Sequence, residues 1–214
     1  MAESSFKAPK RDIPVALRKV RNIKKTTLFF AFYVALSITQ TSSVYGEDVF
    51  QEGALEWGAS AGFGTNFHAA GNVRDDIQFY SLFPSVGKVL KKWDGGGSLD
   101  FIVEGFLSYA RQVSKARYAG GITPLFAYNL KALGKAVPFI ELGVGILYTD
   151  LDPKNFGSKF DLTPQAGIGV RYEIGHGKFL KLSYRLHHIS NAGIDADNGS
   201  IDSHFFLIGL SFIR

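Results

Sequence analysis

The chain of 214 residues contains no cysteine. Disulfides, thiolate-bound zinc and a thiol nucleophile are therefore excluded together. From residue 47 onward the sequence also lacks any long uncharged apolar run, and a spanning helix needs about 20 such residues. If this part of the chain crosses a membrane, helices are not the means. An even basic surface is missing too. The formal net charge is +5, but residues 1–46 hold Lys7, Lys10, Arg11, Arg18, Lys19, Arg21, Lys24 and Lys25 against Glu3 and Asp12. That leaves 16 basic and 17 acidic residues from 47 onward, so the high pI gives no footprint for nucleic acid. What is abundant is 19 Phe, 9 Tyr and 24 Gly, a composition that leans to β structure.

Behind the basic block runs Thr27 to Ile38, Phe-rich and apolar, followed by the small and polar stretch Thr39 to Gly46. Basic, apolar, then small is the layout of a secretory signal peptide. Val44 and Gly46 suit the −3 and −1 positions of a cleavage site before Glu47. An uncleaved anchor is the alternative, disfavoured by the shortness of the apolar run. The expected organisation is a leader over 1–46 and one domain over 47–214.

Within that domain, segments of strand length alternate apolar with small or polar residues. Leu55, Trp57, Ala59, Ala61 and Phe63 share one face against Glu56, Gly58, Ser60, Gly62 and Gly64. Ile140, Leu142, Val144, Ile146 and Tyr148 oppose Glu141, Gly143 and Gly145. Leu162, Ala166, Ile168, Val170 and Tyr172 oppose Asp161, Thr163, Gln165, Gly167, Gly169 and Arg171. Segments near 99–109, 180–186 and 206–212 follow the same rule. Those near 76–91 and 116–130 alternate less cleanly and contain Pro84 and Pro124, which remove ladder donors. The second face is small residues with a few charges (Glu104, Glu141, Asp161, Arg171) rather than a solvated row of Lys and Glu. That suits the packed polar interior of a narrow barrel whose apolar face meets lipid. Trp57, Tyr109, Tyr148 and Tyr172 at strand ends fit interfacial girdles. The expected fold is all-β, an eight-stranded antiparallel transmembrane β-barrel of the outer-membrane type. A soluble lipocalin-like barrel is the alternative.

Three of the five histidines, His187, His188 and His204, fall in the last thirty residues, the other two being His68 and His176. His188 and Ser190 are two apart, so an extended strand projects both from one face. They share parity with Leu182, Tyr184 and Leu186, the outward, apolar set. Polar groups facing hydrocarbon are costly. Asp202 opens the next segment in phase with Phe206, Ile208 and Leu210, again outward. A serine nucleophile needs a base in hydrogen-bond reach, and the base needs an orienting acid; His188, Ser190 and Asp202 could supply all three. Spacing alone leaves open a second reading, a polar strand end at the membrane surface.

The run His188-Ile189-Ser190-Asn191-Ala192-Gly193 resembles the signature of the PagL-type lipid A 3-O-deacylases. That resemblance implies an eight-stranded outer-membrane barrel with its triad on the exterior, acting as a carboxylic ester hydrolase on lipid A of lipopolysaccharide, without a cofactor. The His-x-Ser-Asn core maps onto His188, Ser190 and Asn191. The family acid follows the Ser by twelve positions and falls on Asp202, where the family carries Glu. Asn198 matches a further assisting position. His188 is then expected to deprotonate Ser190, with Asp202 holding the imidazole. N–H groups from Asn191, Ala192 and Gly193, together with the Asn191 amide, are expected to meet the oxyanion.

His187, of opposite parity, is expected inside the barrel. His68 and His176 sit in Gly-rich loop surroundings without carboxylates at metal-ligand spacing. Asp195, Asp197, Asn198 and Gly199 resemble a calcium loop superficially but lack its late Glu, so no metal is expected. Expected partners are lipid A and outer-membrane lipids, not nucleic acid, with a second copy of the chain as a candidate homodimer. The competing functional reading is a non-enzymatic, structural or adhesin-like barrel. A third is an acyltransferase barrel.

Overall fold

The computed structural model describes residues 49–68, 75–151, 159–193 and 199–214. The expected leader over 1–46, together with Asp195, Asp197 and Asn198, lies outside the described residues. The strands are β1 (Leu55–Phe67), β2 (Ile77–Lys92), β3 (Ser98–Gln112), β4 (Lys115–Asn129), β5 (Ala136–Thr149), β6 (Phe160–Gly175), β7 (Lys178–Ile189) and β8 (Ile201–Ile213). Each pairs antiparallel with its neighbours, and β8 closes on β1. Closure leaves no edge strand, the condition a sheet must meet where no water can satisfy its backbone.

The shortest strand has 12 residues. At about 3.3 Å per residue and a tilt of about 40°, it rises roughly 30 Å, the thickness of a bilayer's hydrocarbon. The outward faces are apolar, with Leu82, Leu107, Leu142, Ile146, Ile168 and Ile208 all exposed. Aromatic pairs mark both ends. Trp57 stacks on Phe212 at 4.3 Å near the termini. Tyr80, Tyr109 and Tyr118 form a row on neighbouring strands toward the opposite end.

The two ends differ. The turns at 93–97, 130–135 and 176–177 share one end with the start of β1 and the end of β8. The longer connections 68–76, 150–159 and 190–200 share the other, together with the two-residue β3–β4 turn at 113–114. Short turns on one side and long loops on the other is the outer-membrane pattern.

The lumen is filled. Arg185 donates to Glu141 Oε1 from Nε at 2.9 Å and to Gln165 Oε1 from Nη1 at 3.0 Å, and its Nη1 and Nη2 also reach Glu104. Lys181 Nζ reaches Glu141 Oε2 at 3.1 Å. Nearer the termini, Arg171 Nη1 donates to Glu56 Oε2 at 2.8 Å and Nη2 lies 3.4 Å from Asp100 Oδ2. Below it, buried Phe50 packs on Phe179 at 5.5 Å with Val89, Val137 and Ile213, closing the lumen at the short-turn end.

Toward the loops the interior departs from the polar filling expected of it. Ile77, Phe79, Phe83, Phe106, Leu147 and Phe205 form an apolar cluster inside the barrel. Glycines make room for it. A Cβ on Gly64 would sit 2.6 Å from the Phe205 ring and one on Gly62 2.9 Å from Phe83. This cluster explains the poor alternation of β2: Ile77, Phe79 and Phe83 are buried while Tyr80 and Leu82 face out, so both faces are apolar.

Candidate active site

Strand β7 is held between β6 and β8 in a register that sets His188 directly opposite Asp202. Both residues fall on the outward set, as alternation requires. Pairing with β8 ends at Ile189↔Ile201. The backbone of Ser190 is nevertheless fixed, because it exchanges two hydrogen bonds with Leu162 of β6: Ser190 N–H to Leu162 O at 3.1 Å and Leu162 N–H to Ser190 O at 2.8 Å. This bridge was not foreseen from the β7–β8 sequence, since it depends on the register of a third strand.

The three side chains meet. His188 Nδ1 lies 2.6 Å from Asp202 Oδ1, and His188 Nε2 lies 3.0 Å from Ser190 Oγ. An ionised carboxylate only accepts, so Nδ1–H donates to Asp202, and the bare Nε2 of the neutral ring accepts the Ser190 hydroxyl. The His188 side chain is 38% exposed and that of Asp202 23%. The imidazole is thus reachable from outside the barrel while its partner acid is more sheltered. Asp202, one methylene shorter than Glu, reaches the ring without strain in the hydrogen-bond length.

Beyond Ser190 the chain turns sharply. Ala192 has φ 54° and Gly193 φ 79°, and the Gly193 N–H donates to Asn191 Oδ1 at 2.8 Å. Asn191 is buried, so its side chain braces the turn from within. The Gly193 N–H is committed to that brace. This differs from the expectation that Asn191, Ala192 and Gly193 would all present donors. Asn198 lies outside the described residues.

An exterior groove of about 800 Å3 begins at His188 and Asp202 and crosses β7 to β4 past Leu186, Pro164, Val144 and Pro124. A second exterior hollow, lined by Pro138, Ile140, Leu182 and Phe206, holds no nucleophile–base pair. The remaining histidines do not join the site. His187 is buried, hydrogen-bonded to Thr163 and set edge-on against Phe106 and Phe205. His204 faces out, stacked on Phe67 at 5.1 Å with Tyr184 Oη at 3.5 Å. His68 and His176 are exposed at strand ends. Among the described residues no group of three or more His, Asp or Glu could hold a metal ion.

Residues 79–211 match the family model of the lipid A 3-O-deacylase (PagL). The chain belongs to the PagL family. Among solved structures it is similar to the outer membrane enzyme PagL, with 21% identity over 71% of this chain and 97% of that one and a TM-score of 0.59. It is also similar to Neisserial surface protein A, with 17% identity over 75% of this chain and 99% of that one and a TM-score of 0.55. At these identities the likeness is one of fold, the closed outer-membrane-type barrel. No curated protein matches the chain. In this PagL-family barrel the motif that carries the family resemblance therefore coincides with the outward cluster of β7 and β8.

Proposed function

We propose that this chain is an outer-membrane lipid A 3-O-deacylase that works through Ser190, His188 and Asp202. The observation that carries the reading is the continuous hydrogen-bonded sequence from Ser190 Oγ through the His188 ring to Asp202 on the lipid-facing surface. In a purely structural barrel such a set in that place carries a desolvation cost without return.

His188 Nε2 accepts the Ser190 proton as Oγ attacks the ester carbonyl. Asp202 holds the ring in the productive tautomer and stabilises the imidazolium. The Ala192 N–H, presented by the turn that Asn191 fixes, meets the developing oxyanion; such a donor is worth about 10²–10³ in rate. The proton passes to the departing sugar hydroxyl, leaving an acyl-Ser190 ester that water then hydrolyses. The groove leading away from His188 offers an apolar bed to the acyl chain, so the chain stays among lipid tails while its ester meets the serine. The site lies at the long-loop end, the outward side of such barrels, where lipid A resides.

Mass spectrometry of lipid A from cells with and without the protein tests this. Loss of one acyl chain, abolished by Ser190→Ala in a barrel that still folds, is the expected result. An unchanged mass supports the non-enzymatic barrel, and a gain in mass an acyltransferase.

A further inference from the structure

Four prolines, Pro84, Pro124, Pro138 and Pro164, sit inside strands of a barrel that has no edge, and three of them interrupt a ladder. The β2–β3 ladder lapses opposite Pro84, between Leu82↔Leu107 and Ser85↔Glu104. The β4–β5 ladder lapses opposite Pro124, between Ile122↔Ile146 and Leu125↔Gly143. The third lapse is opposite Pro164, between Leu162↔Ser190 and Gln165↔His187. Leu162 and Ser190 exchange both their hydrogen bonds. Antiparallel ladders repeat with a period of two, so Pro164 faces His188 in the same phase. Pro164 has no N–H. The carbonyl of His188 therefore receives no donor from β6, at the position where an ordinary residue would supply one.

A backbone acceptor without its ladder partner is costly at a lipid-facing wall. Of the three lapses, the one at Pro164 touches the Ser190–His188–Asp202 cluster. The rise of about 3.3 Å per residue sets the His188 carbonyl roughly 6 Å from Ser190 along the strand. An ordered water needs two to four polar partners, and beside Ser190 the bared carbonyl and His188 Nε2 are two.

We propose that the His188 carbonyl, bared by Pro164, holds the water that hydrolyses the acyl-enzyme. The inference rests on the deacylase reading above. Once Ser190 is acylated its hydroxyl no longer occupies His188 Nε2. The water then donates one hydrogen to Nε2 and the other to the His188 carbonyl, an arrangement that aims the water's own lone pair at the acyl carbon. His188 takes the first proton as the C–O bond to water forms. It returns that proton to Ser190 Oγ as the C–Oγ bond breaks, releasing the fatty acid and free enzyme. Pro164 acts here as a positioning residue, by withholding a competing donor.

The test follows deacylation directly. Full-length protein, wild type and variants, is refolded in detergent micelles and acylated with p-nitrophenyl dodecanoate. Excess ester is then removed and the loss of acyl mass is followed by intact-protein mass spectrometry. Pro164→Ala restores a donor to the His188 carbonyl and is expected to slow deacylation about three- to tenfold, the worth of one hydrogen bond. Hydroxylamine, which does not need that water, is expected to remove the acyl group equally fast from both proteins. Pro84→Ala makes the same chemical change at a lapse outside the groove and is expected to deacylate like wild type. Pro164→Ala deacylating at the wild-type rate overturns the proposal, as does Pro84→Ala slowing equally. Absence of any Ser190-dependent acylation in wild type counts against the deacylase reading itself, and both fall together.

Discussion

Replacing Asp202 by Asn isolates the charge that the site places behind its base. In the proposed mechanism His188 becomes cationic when it takes the Ser190 proton. With Nδ1 2.6 Å from Oδ1, the centres of the two charged groups lie about 4 Å apart, and at an effective dielectric of about 20 their attraction is about 4 kcal/mol. Solvent reaches both side chains, at 38% and 23% exposure, so a discount to about 3 kcal/mol is appropriate. That corresponds to a fall of about 10²-fold in rate. Because the imidazolium exists only once reaction begins, the loss belongs in kcat with KM little changed. Asp202→Glu keeps the charge while inserting a methylene into a contact that is already short, so it should cost less than Asp202→Asn. The assay is release of fatty acid from lipid A in mixed micelles, with barrel folding checked by heat-modifiable gel mobility. A loss below tenfold for Asp202→Asn, or one carried by KM, refutes the assignment of Asp202 as the charge partner of His188.

Two stability predictions come from other parts of the barrel. Arg185 is buried among Glu104, Glu141 and Gln165. Arg185→Met strands Glu104 in the lumen and leaves Glu141 with Lys181 alone, and should destabilise the barrel by about 3–5 kcal/mol, read from the urea midpoint in lipid vesicles; adding Glu104→Gln should recover much of that loss, and an unaltered midpoint for Arg185→Met contradicts the argument. Val113, at the tip of the β3–β4 hairpin, has φ 56°, a left-handed conformation that a β-branched residue adopts at a cost. Val113→Asn should raise the unfolding midpoint by the equivalent of about 1 kcal/mol, and a lowered midpoint counts against strain at that turn.

The barrel was legible where its two faces differ in chemistry. In β6 the inward residues Asp161, Thr163, Gln165 and Arg171 are polar and the outward Leu162, Ile168 and Tyr172 are not, so period two stands out. In β2 the lumen and the lipid both meet aromatic or aliphatic side chains, and the pattern blurs for a physical reason: Phe79 and Phe83 pack on Phe106 and Phe205 inside. The pair His188 and Ser190 was legible because two residues on one strand share a face whatever their neighbours do. Asp202 required only the hairpin register of β7 and β8. The roles of Leu162 and Pro164 were not legible, because β6 meets β7 through a register that no local pattern announces. Nor was the turn chemistry after Ser190, where a side-chain acceptor on Asn191 takes the Gly193 N–H.

Polarity alone would direct attention to the lumen, which holds the densest set of charges in the barrel. Geometry argues the opposite. Glu104 and Glu141 are committed to Arg185 and Lys181, and Glu56 and Asp100 to Arg171, so none is poised to move a proton. The lumen is closed by Phe50 at one end and by the Phe79–Phe205 cluster toward the other, leaving no passage for an acyl chain. The outward cluster has the reverse properties. Its imidazole is reachable, its serine is anchored to β6 by backbone bonds, and an apolar groove starts beside it. A filled interior therefore supplies the rigidity that holds β7 and β8 in register, and that register is what brings Asp202 to His188. Loosening the lumen, as Arg185→Met does, should consequently weaken hydrolysis before it abolishes folding, since a shift of one ångström at the β7–β8 rung is enough to break a 2.6 Å contact.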